Sequence, residues 1–267
     1  MMGMPKIIAL DLDGTLLDSR KEYPAEFPEF VMSHPDTAFV LASGRQIYAL
    51  TEQFSGIKDS LWFIAENGGL VYHAGEFLCV DSMKTEDSLK VLAEFKDRPG
   101  CEPLVCGLNS AYVRDCGGQA KIESTKYYTR IEYNDDLVSC AIKDRILKIA
   151  IFVDDSRAEE VYASLPPRND GLAMLLSGDS WIDIANASVG KGTALRSIRR
   201  ILGVSAEETA AFGDYLNDMS LFEAAGESYA MANAHPELKA AAKHITMYTN
   251  DENGVMKALM EIENEDT

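Results

Sequence analysis

The sequence predicts an α/β protein: a doubly wound, mostly parallel sheet with a second α+β module inserted into it. Two observations favour this fold. Short apolar runs alternate with helical segments at both ends of the chain, which is the rhythm of βαβ units. Between about residues 82 and 184 the rhythm changes to β-rich segments. We therefore expect a discontinuous α/β core of residues 1–81 and 185–267, and a separate α+β module of residues 82–184.

The first strand is predicted at residues 7–10, an apolar run too short for a helix and closed by a turn signal at Gly14. If the strand continues to Asp13, its period of two places Asp11 and Asp13 on one face. Two carboxylates would then share the carboxyl end of a strand, where open α/β sheets bind ligands. Such a pair is costly unless a cation or a shared proton relieves it. The alternative is a simple Asx-type turn.

The next predicted elements are a helix near residues 26–33, a strand at 37–42, a helix at 46–54 and a strand at 61–65. The second strand stops at Ser43-Gly44-Arg45. Ser43 is either a plain helix N-cap or, with the amides of the helix start, a group that holds phosphate oxygens. Arg45 either assists or lies on the surface.

The inserted module is predicted to contain two helices, at residues 86–96 and 157–165. Its predicted strands lie at residues 111–114, 127–133, 145–153, 172–176 and 181–185.

From Val189 the core rhythm returns, which completes a Rossmann-like sheet. A helix at 193–202 precedes a strand at 209–212, and that strand meets a second acidic group: Gly213, Asp214, Asn217 and Asp218. On a helix, positions 214, 217 and 218 share one face, although an ordinary N-cap with an acidic first turn is the alternative. Two acidic clusters at strand ends of one sheet indicate a shared divalent cation. Oxygen ligands favour Mg²⁺ over zinc.

Lys191 lies in Val-Gly-Lys-Gly-Thr, which invites comparison with a nucleotide P-loop. The comparison fails because Ala185 stands where the first glycine is required and Gly192 follows the lysine. No G-x-G-x-x-G follows a predicted strand either, so a dinucleotide site is not indicated. Lys191 is either a solvated lysine at a helix start or, given its flanking glycines, one that approaches another group closely.

Composition narrows the class of partner. The formal net charge of −18 disfavours nucleic acid and anionic membranes, while an anionic small substrate needs a local reversal of sign. No apolar run reaches membrane-spanning length, the start MMGMPK carries no leader-like segment, and the five cysteines are odd in number without a C-x-x-C pair. We therefore expect free thiols and a cytoplasmic location, with zinc binding as a minor alternative. The sequence does not indicate an oligomeric state.

Four motifs in this order resemble those of the haloacid dehalogenase-like hydrolases: Asp11-Leu12-Asp13-Gly14-Thr15, Ser43-Gly44-Arg45, Lys191, and Gly213-Asp214-x-x-Asn217-Asp218. The closer match is to the Cof-type subfamily, whose cap is inserted between the second and third motifs. Three further phrases look like that subgroup: Glu66-Asn67-Gly68, residues 230–234 and residues 251–255. The resemblance covers both halves of the core, while the module matches only in position, size and α+β character.

The resemblance implies a role for each residue. Asp11 would be the nucleophile and Asp13 the general acid and then the base. Mg²⁺ would be held by Asp11, by the backbone carbonyl of Asp13 and by Asp214, with Asp218 nearby. Four residues would hold or neutralise the phosphoryl group: Ser43, Gly44, Lys191 and Asn217.

The implied activity is a Mg²⁺-dependent phosphatase that acts on a small phosphorylated metabolite, with the inserted module closing over the site. A phosphomutase and a non-catalytic, phosphate-responsive binding protein are the alternatives. Five basic residues of the module are candidates for contact with the leaving group: Arg114, Lys121, Lys126, Arg130 and Lys148.

Overall fold

The structure is a computed structural model that describes residues 4–116 and 118–264. Residues 1–3, at the start of the segment on which the localisation prediction depends, lie outside the described residues. The chain forms two compact units: one contains the residues up to Cys79 and from Gly190 onward, and the other is Val80–Val189. We call the first unit the core and the second the inserted module.

From residue 4 onward, the first half of the core forms five strands and two α-helices. The strands are β1 (Ile7–Asp11), β2 (Ala38–Ala42), β3 (Leu61–Ala65), β4 (Leu70–His73) and β5 (Glu76–Val80). The helices are α1 (Phe27–Ser33) and α2 (Ile47–Gln53). β1 and β3 are buried along their whole length, as expected for central strands of a parallel sheet that is covered on both faces.

The described residues of the inserted module form four α-helices and six strands. The helices are α3 (Thr85–Phe95), α4 (Gly118–Ser124), α5 (Leu137–Lys143) and α6 (Ala158–Ser164). The strands are β6 (Cys101–Gly107), β7 (Ala111–Val113), β8 (Ile131–Tyr133), β9 (Ile146–Val153), β10 (Leu172–Gly178) and β11 (Trp181–Asn186).

The second half of the core returns to alternating elements. Its helices are α7 (Lys191–Leu202), α8 (Met219–Ala224), α9 (Pro236–Ala241) and α10 (Gly254–Asn264). Its strands are β12 (Thr209–Gly213), β13 (Glu227–Ala230) and β14 (His244–Ile245).

The core sheet has eight strands in the order β14-β13-β12-β1-β2-β3-β4-β5. The strands from β14 to β3 are parallel, and β4 is antiparallel to β3. Successive strands run outward from β1 in one direction and from β12 in the other, so the order reverses between these two neighbours. The carboxyl edge at such a reversal is the usual ligand crevice of an open α/β sheet. The predicted fold class is confirmed.

The module sheet has the order β10-β11-β9-β6-β7-β8 and two apolar faces. Alternate residues of β9 point to opposite sides. Ile149 and Ile151 join the cluster formed with α3, α5 and α6, whereas Ala150 and Phe152 join a smaller cluster with Tyr128 and Trp181. The module therefore has a hydrophobic core of its own.

The module spans Val80–Val189, a few residues more at each end than the predicted 82–184. The two segments that connect it to the core are hydrogen-bonded to each other. Asn186 Nδ2 donates to Asp81 Oδ1 at 2.6 Å, and Ser188 Oγ donates to Asp81 Oδ2 at 2.6 Å. These contacts keep the residues after β11 with the module. Six elements were not predicted: β4, β5, β6, β14, α4 and α5. Pro103 inside β6 weakens that strand's sequence signal, and only the end of the predicted strand at 127–133 is a strand.

Two further expectations concern the whole chain. All five cysteines are free. Within residues 4–116 and 118–264, no helix is both long and apolar enough to cross a membrane.

Candidate active site

Asp11 and Lys191 form the centre of the site. Asp11 is the last residue of β1, paired in register with Ala42, and Lys191 is the first residue of α7. Lys191 Nζ donates to Asp11 Oδ1 at 2.5 Å and to Asp218 Oδ1 at 2.7 Å. The lysine is only 2% exposed, so the alternative of a solvated lysine is wrong. The start of α7 therefore places the ammonium group of Lys191 at the carboxyl end of β1.

Asp214 and Asp218 bring two more carboxylates to the same place. One oxygen of each of Asp11, Asp214 and Asp218 lies within 4.8 Å of the others. Asp218 also accepts hydrogen bonds from the Asp214 amide at 3.1 Å and the Tyr215 amide at 3.2 Å, which shapes the loop after β12. Thr15 Oγ1 is 3.3 Å from Asp214 Oδ1 and donates to it.

The loop after β12 differs from the predicted helix face. Residues Leu216–Asp218 form a short 3₁₀ turn and α8 begins only at Met219, so Asp214 precedes any helix. Asn217 is half-buried on that turn. Asp218, predicted to lie near the metal ligands, is fully buried and contacts Lys191 directly, which makes it a member of the central cluster.

Three carboxylates share a single ammonium in this cluster, and the pKa values reflect the imbalance. Burial and the neighbouring Asp218 raise the pKa of Asp11 well above its ordinary value, although Lys191 opposes the shift. Burial and Asp218 also raise the pKa of Asp214, to about 6. Burial alone would lower the pKa of Lys191, but Asp11 and Asp218 outweigh it and raise that pKa. When all three carboxylates are ionised, the cluster has an excess of two negative charges.

The donor set fits a divalent cation. It consists of carboxylate oxygens only, which suit a hard ion such as Mg²⁺, and two positive charges would balance the excess. The backbone at Gly14 also abuts this set: a Cβ there would lie 2.4 Å from Asp214 Oδ2. Glycine is therefore required for the turn to approach the carboxylate.

Asp13 does not join the cluster, because β1 ends at Asp11 rather than continuing to Asp13. Its carboxylate instead accepts from Arg45 Nε at 2.9 Å and from Lys21 Nζ at 2.8 Å. Burial by itself would raise the pKa of Asp13, but the two cations lower it. The two aspartates therefore lie in different electrostatic environments. Ligation through the Asp13 backbone carbonyl stays a prediction.

Ser43 follows β2 and is buried. It is not the N-cap of α2, which begins at Ile47 after Gln46. Its hydroxyl accepts from the Arg45 amide at 3.2 Å, and its carbonyl accepts from the Asn67 amide at 3.0 Å. The turn is therefore held by neighbouring backbone rather than by the helix.

The turn at Glu66–Gly68 packs between the Ser43 turn and the start of α7. The side-chain amide of Asn67 lies against Gly44, where an added Cβ would come within 3.0 Å of it. Gly68, with φ of +108°, is so close to the next element that a Cβ would lie 2.3 Å from the Gly190 carbonyl oxygen. This turn fixes the spacing between Ser43 and Lys191.

Two contacts were missed by reasoning from the sequence. Lys21 lies in a polar loop and carries no motif, so nothing in the sequence indicates its ion pair with Asp13. The sequence allows Arg45 to be either a site residue or a surface residue, and in the structure its guanidinium contacts the Asp13 carboxylate.

Basic candidates of the module lie beside acidic residues of the same module. Lys148 is buried and lies 3.0 Å from Asp183 Oδ2. The other pairs are Arg114 with Glu102, Lys121 with Asp115, and Lys126 with Glu123. Their contact with a leaving group stays a prediction.

A family model described as haloacid dehalogenase-like hydrolase matches residues 8–259. Among curated proteins, the chain is 31% identical over 261 residues to a 5-amino-6-(5-phospho-D-ribitylamino)uracil phosphatase of Escherichia coli, covering 95% of this chain and 94% of that protein. It is 28% identical over 275 residues to a protein of the same description from Bacillus subtilis, covering 94% and 95%.

Solved structures are also similar to this chain over nearly its whole length. The chain is similar to the crystal structure of a haloacid dehalogenase-like hydrolase from Bacteroides thetaiotaomicron, with a TM-score of 0.83 and 26% identity over 97% of this chain and 99% of that one. A Streptococcus mutans protein superposes with a TM-score of 0.85 at 25% identity over 96% of this chain and 98% of that one.

Proposed function

This chain belongs to the haloacid dehalogenase-like hydrolases, and from that premise we propose that it is a Mg²⁺-dependent phosphatase acting through an aspartyl-phosphate intermediate. Its substrate is a small phosphorylated metabolite, a sugar phosphate or a similar monoester. One observation carries the proposal: a buried aspartate at the central strand end contacts a buried lysine and lies in one cluster with two further carboxylates.

Phosphate binding depends on groups that neutralise negative charge. Lys191 supplies the buried ammonium, and Ser43 with the adjacent Gly44 amide supplies hydrogen-bond donors at the neighbouring strand end. Asn217 adds an amide from the loop after β12. Asp11, Asp214 and the Asp13 carbonyl would hold Mg²⁺, which when bound neutralises charge on the phosphoryl oxygens.

The chemistry takes two steps. In the first, an Asp11 carboxylate oxygen forms a bond to phosphorus while the ester bond to the leaving oxygen breaks, and Asp13 gives its proton to that oxygen. In the second, Asp13 takes a proton from water as the water oxygen bonds to phosphorus. The bond to Asp11 then breaks, which releases phosphate and restores both carboxyl groups.

The descriptions of the relatives support hydrolysis over the two alternatives, a phosphomutase and a non-catalytic binding protein. Both relatives reported above are called phosphatases of a molecule with a phosphorylated ribityl chain. A monoester on a small polyhydroxylated molecule is therefore the substrate class to test first.

The test is phosphate release from p-nitrophenyl phosphate with Mg²⁺ and with EDTA. We expect turnover to require Mg²⁺ and Asp11→Asn to abolish it. The circular dichroism spectrum and the thermal midpoint of that variant should stay near those of the wild type. Full activity of the variant, or equal activity in EDTA, would exclude the mechanism.

A panel of sugar phosphates, nucleotides and pyridoxal phosphate would then identify the substrate. Conversion of a sugar phosphate into an isomer without free phosphate would instead establish a phosphomutase.

A further inference from the structure

Arg45 makes a two-pronged contact with the Asp13 carboxylate. Its Nε donates to Oδ2 at 2.9 Å and its second terminal nitrogen donates to Oδ1 at 2.5 Å. Two parallel hydrogen bonds between a planar guanidinium and a planar carboxylate fix the orientation of the carboxylate plane. A single contact from a lysine leaves that plane free to rotate.

Gln53, the last residue of α2, holds the other side of the guanidinium. Its Oε1 accepts from Arg45 Nη1 at 3.0 Å, and its Nε2 donates to the Lys21 carbonyl at 2.9 Å. Lys21 Nζ then returns to Asp13 Oδ1 at 2.8 Å, which closes a ring of four residues. The side chain of Lys21 is 58% exposed, against 24% for Arg45. Arg45 is therefore the more constrained of the two cations.

We propose that Arg45, held in place by Gln53, is a positioning residue that orients the Asp13 carboxyl group toward the leaving oxygen of the substrate. The inference rests on the proposed function, in which Asp13 exchanges a proton with that oxygen. Proton transfer needs a heavy-atom separation near that of a hydrogen bond, and a misplacement of about 1 Å can cost about a hundredfold in rate. Arg45 acts through Asp13 and needs no contact with the substrate.

The experiment compares two phosphate esters that differ in their need for an acid. Glycerol phosphate has a strongly basic leaving alkoxide that must be protonated, whereas the dinitrophenolate of dinitrophenyl phosphate leaves without a proton. For Arg45→Met we expect kcat to fall about a hundredfold on glycerol phosphate and less than about threefold on dinitrophenyl phosphate, with little change in KM. Because both rates come from one sample, a loss of folded protein cancels in their ratio.

Two further variants refine the test. Arg45→Lys keeps the charge but not the fork, so we expect it to behave like Arg45→Met. Gln53→Met removes the contact that holds the guanidinium and the hydrogen bond to the Lys21 carbonyl but leaves the fork to Asp13 intact, so we expect a smaller loss in the same direction. The matched control is Arg168→Met: Arg168 makes a similar fork to Asp170 and a contact with Glu94 inside the module, and we expect both rates to stay unchanged.

Four outcomes would overturn the positioning role. An equal loss of kcat on both esters, or a rise in KM on both, would mean that Arg45 binds the phosphoryl group itself. Full activity of Arg45→Lys would mean that charge alone matters. A gain in kcat would mean that the ring restrains Asp13.

Asp13→Asn separates these failures from a failure of the proposed function. If Asp13→Asn selectively loses turnover of glycerol phosphate and Arg45→Met does not, only the positioning role is wrong.

Discussion

At the scale of single residues, the site has more carboxylates than cations, so its charges do not cancel. Lys191 compensates only part of the charge of Asp11, Asp214 and Asp218, and all of these groups are wholly or partly withdrawn from water. Burial and the neighbouring carboxylates raise the pKa of Asp11 and of Asp214, and a cation is the usual relief. Because Lys191 is buried between Asp11 and Asp218, we also expect it to stabilise the fold.

Lys191→Met tests this structural role. Methionine keeps the buried stem but leaves Asp11 and Asp218 without a cation, so in EDTA we expect the free energy of unfolding to fall by about 3 kcal/mol. Urea unfolding followed by circular dichroism measures it. Adding Asp218→Asn removes one of the two stranded charges and keeps an oxygen for the Asp214 amide, so part of the loss should return. A double variant as unstable as the single one would contradict the argument.

Gly14→Ala tests the close approach to Asp214. Gly14 has φ of +86°, and an added Cβ would lie 2.4 Å from Asp214 Oδ2. Gly75 is a matched control, with φ of +93° and nothing within 4 Å of the added atom. Both alanines carry backbone strain of about 1–2 kcal/mol. We expect kcat/KM with Mg²⁺ to fall about a hundredfold in Gly14→Ala only, because only there is a carboxylate displaced. Equal losses in the two variants would show that strain alone is responsible.

At the scale of elements, the central site residues lie at or directly after the end of a strand, or at the start of a helix: Asp11, Ser43, Asp214 and Lys191. The register of β1 with β2 and β12 brings Asp11, Ser43 and Asp214 to one edge of the sheet. The turn at Glu66–Gly68 spaces β2 from α7, and Asn250 ties the C-terminal loop to the carbonyl of Leu17 at 2.9 Å. The sheet therefore brings the site residues to one edge, and contacts between the loops hold them there.

The far edge of the sheet offers a pH test of one element contact. Glu227 on β13 lies 3.2 Å from Lys243 Nζ and 2.7 Å from His244 Nε2, with its side chain 21% exposed. Burial by itself would raise the pKa of Glu227, but these two partners lower it. A carboxyl group whose pKa is lower when folded stabilises the fold above its unfolded pKa, and this stabilisation is lost as the pH falls through the folded pKa.

For Glu227→Gln we therefore expect a free energy of unfolding about 0.5–1 kcal/mol below that of the wild type at pH 7, with the difference fading below about pH 4. Urea unfolding across that range measures it. Glu223→Gln is the control, because Glu223 is 65% exposed and its nearest Arg196 nitrogen is 3.9 Å away. A difference for Glu227 that persists at low pH would assign the effect to packing.

At the scale of the whole molecule, the net charge of −18 acts on the chain as a diffuse repulsion. Monovalent salt screens it without any site, whereas a divalent cation can also bind to the acidic cluster. These two effects are separable because only the second depends on particular residues.

Salt and magnesium should therefore stabilise the protein in different ways. We expect NaCl to raise the thermal midpoint of the wild type and of Asp214→Asn alike. At matched ionic strength, millimolar MgCl₂ should add further stability to the wild type only, about 2.7 kcal/mol at a hundred times the dissociation constant. Differential scanning fluorimetry in the two salts measures this. An equal magnesium effect in both proteins would show that Asp214 is not a ligand.

The sequence by itself determined the α/β class, the insertion and the four motifs, because periodicity and turn chemistry are local properties. It missed β6, where Pro103 weakens the signal, and it extended the first strand to Asp13. Only the tertiary structure decided which charges pair. Asp13 meets Arg45, which lies in the turn after a neighbouring strand, and Lys191 meets Asp218, which lies beyond β12. These pairs depend on sheet order, register and the residue at which a strand ends, and those follow from packing across the whole core rather than from any stretch of sequence.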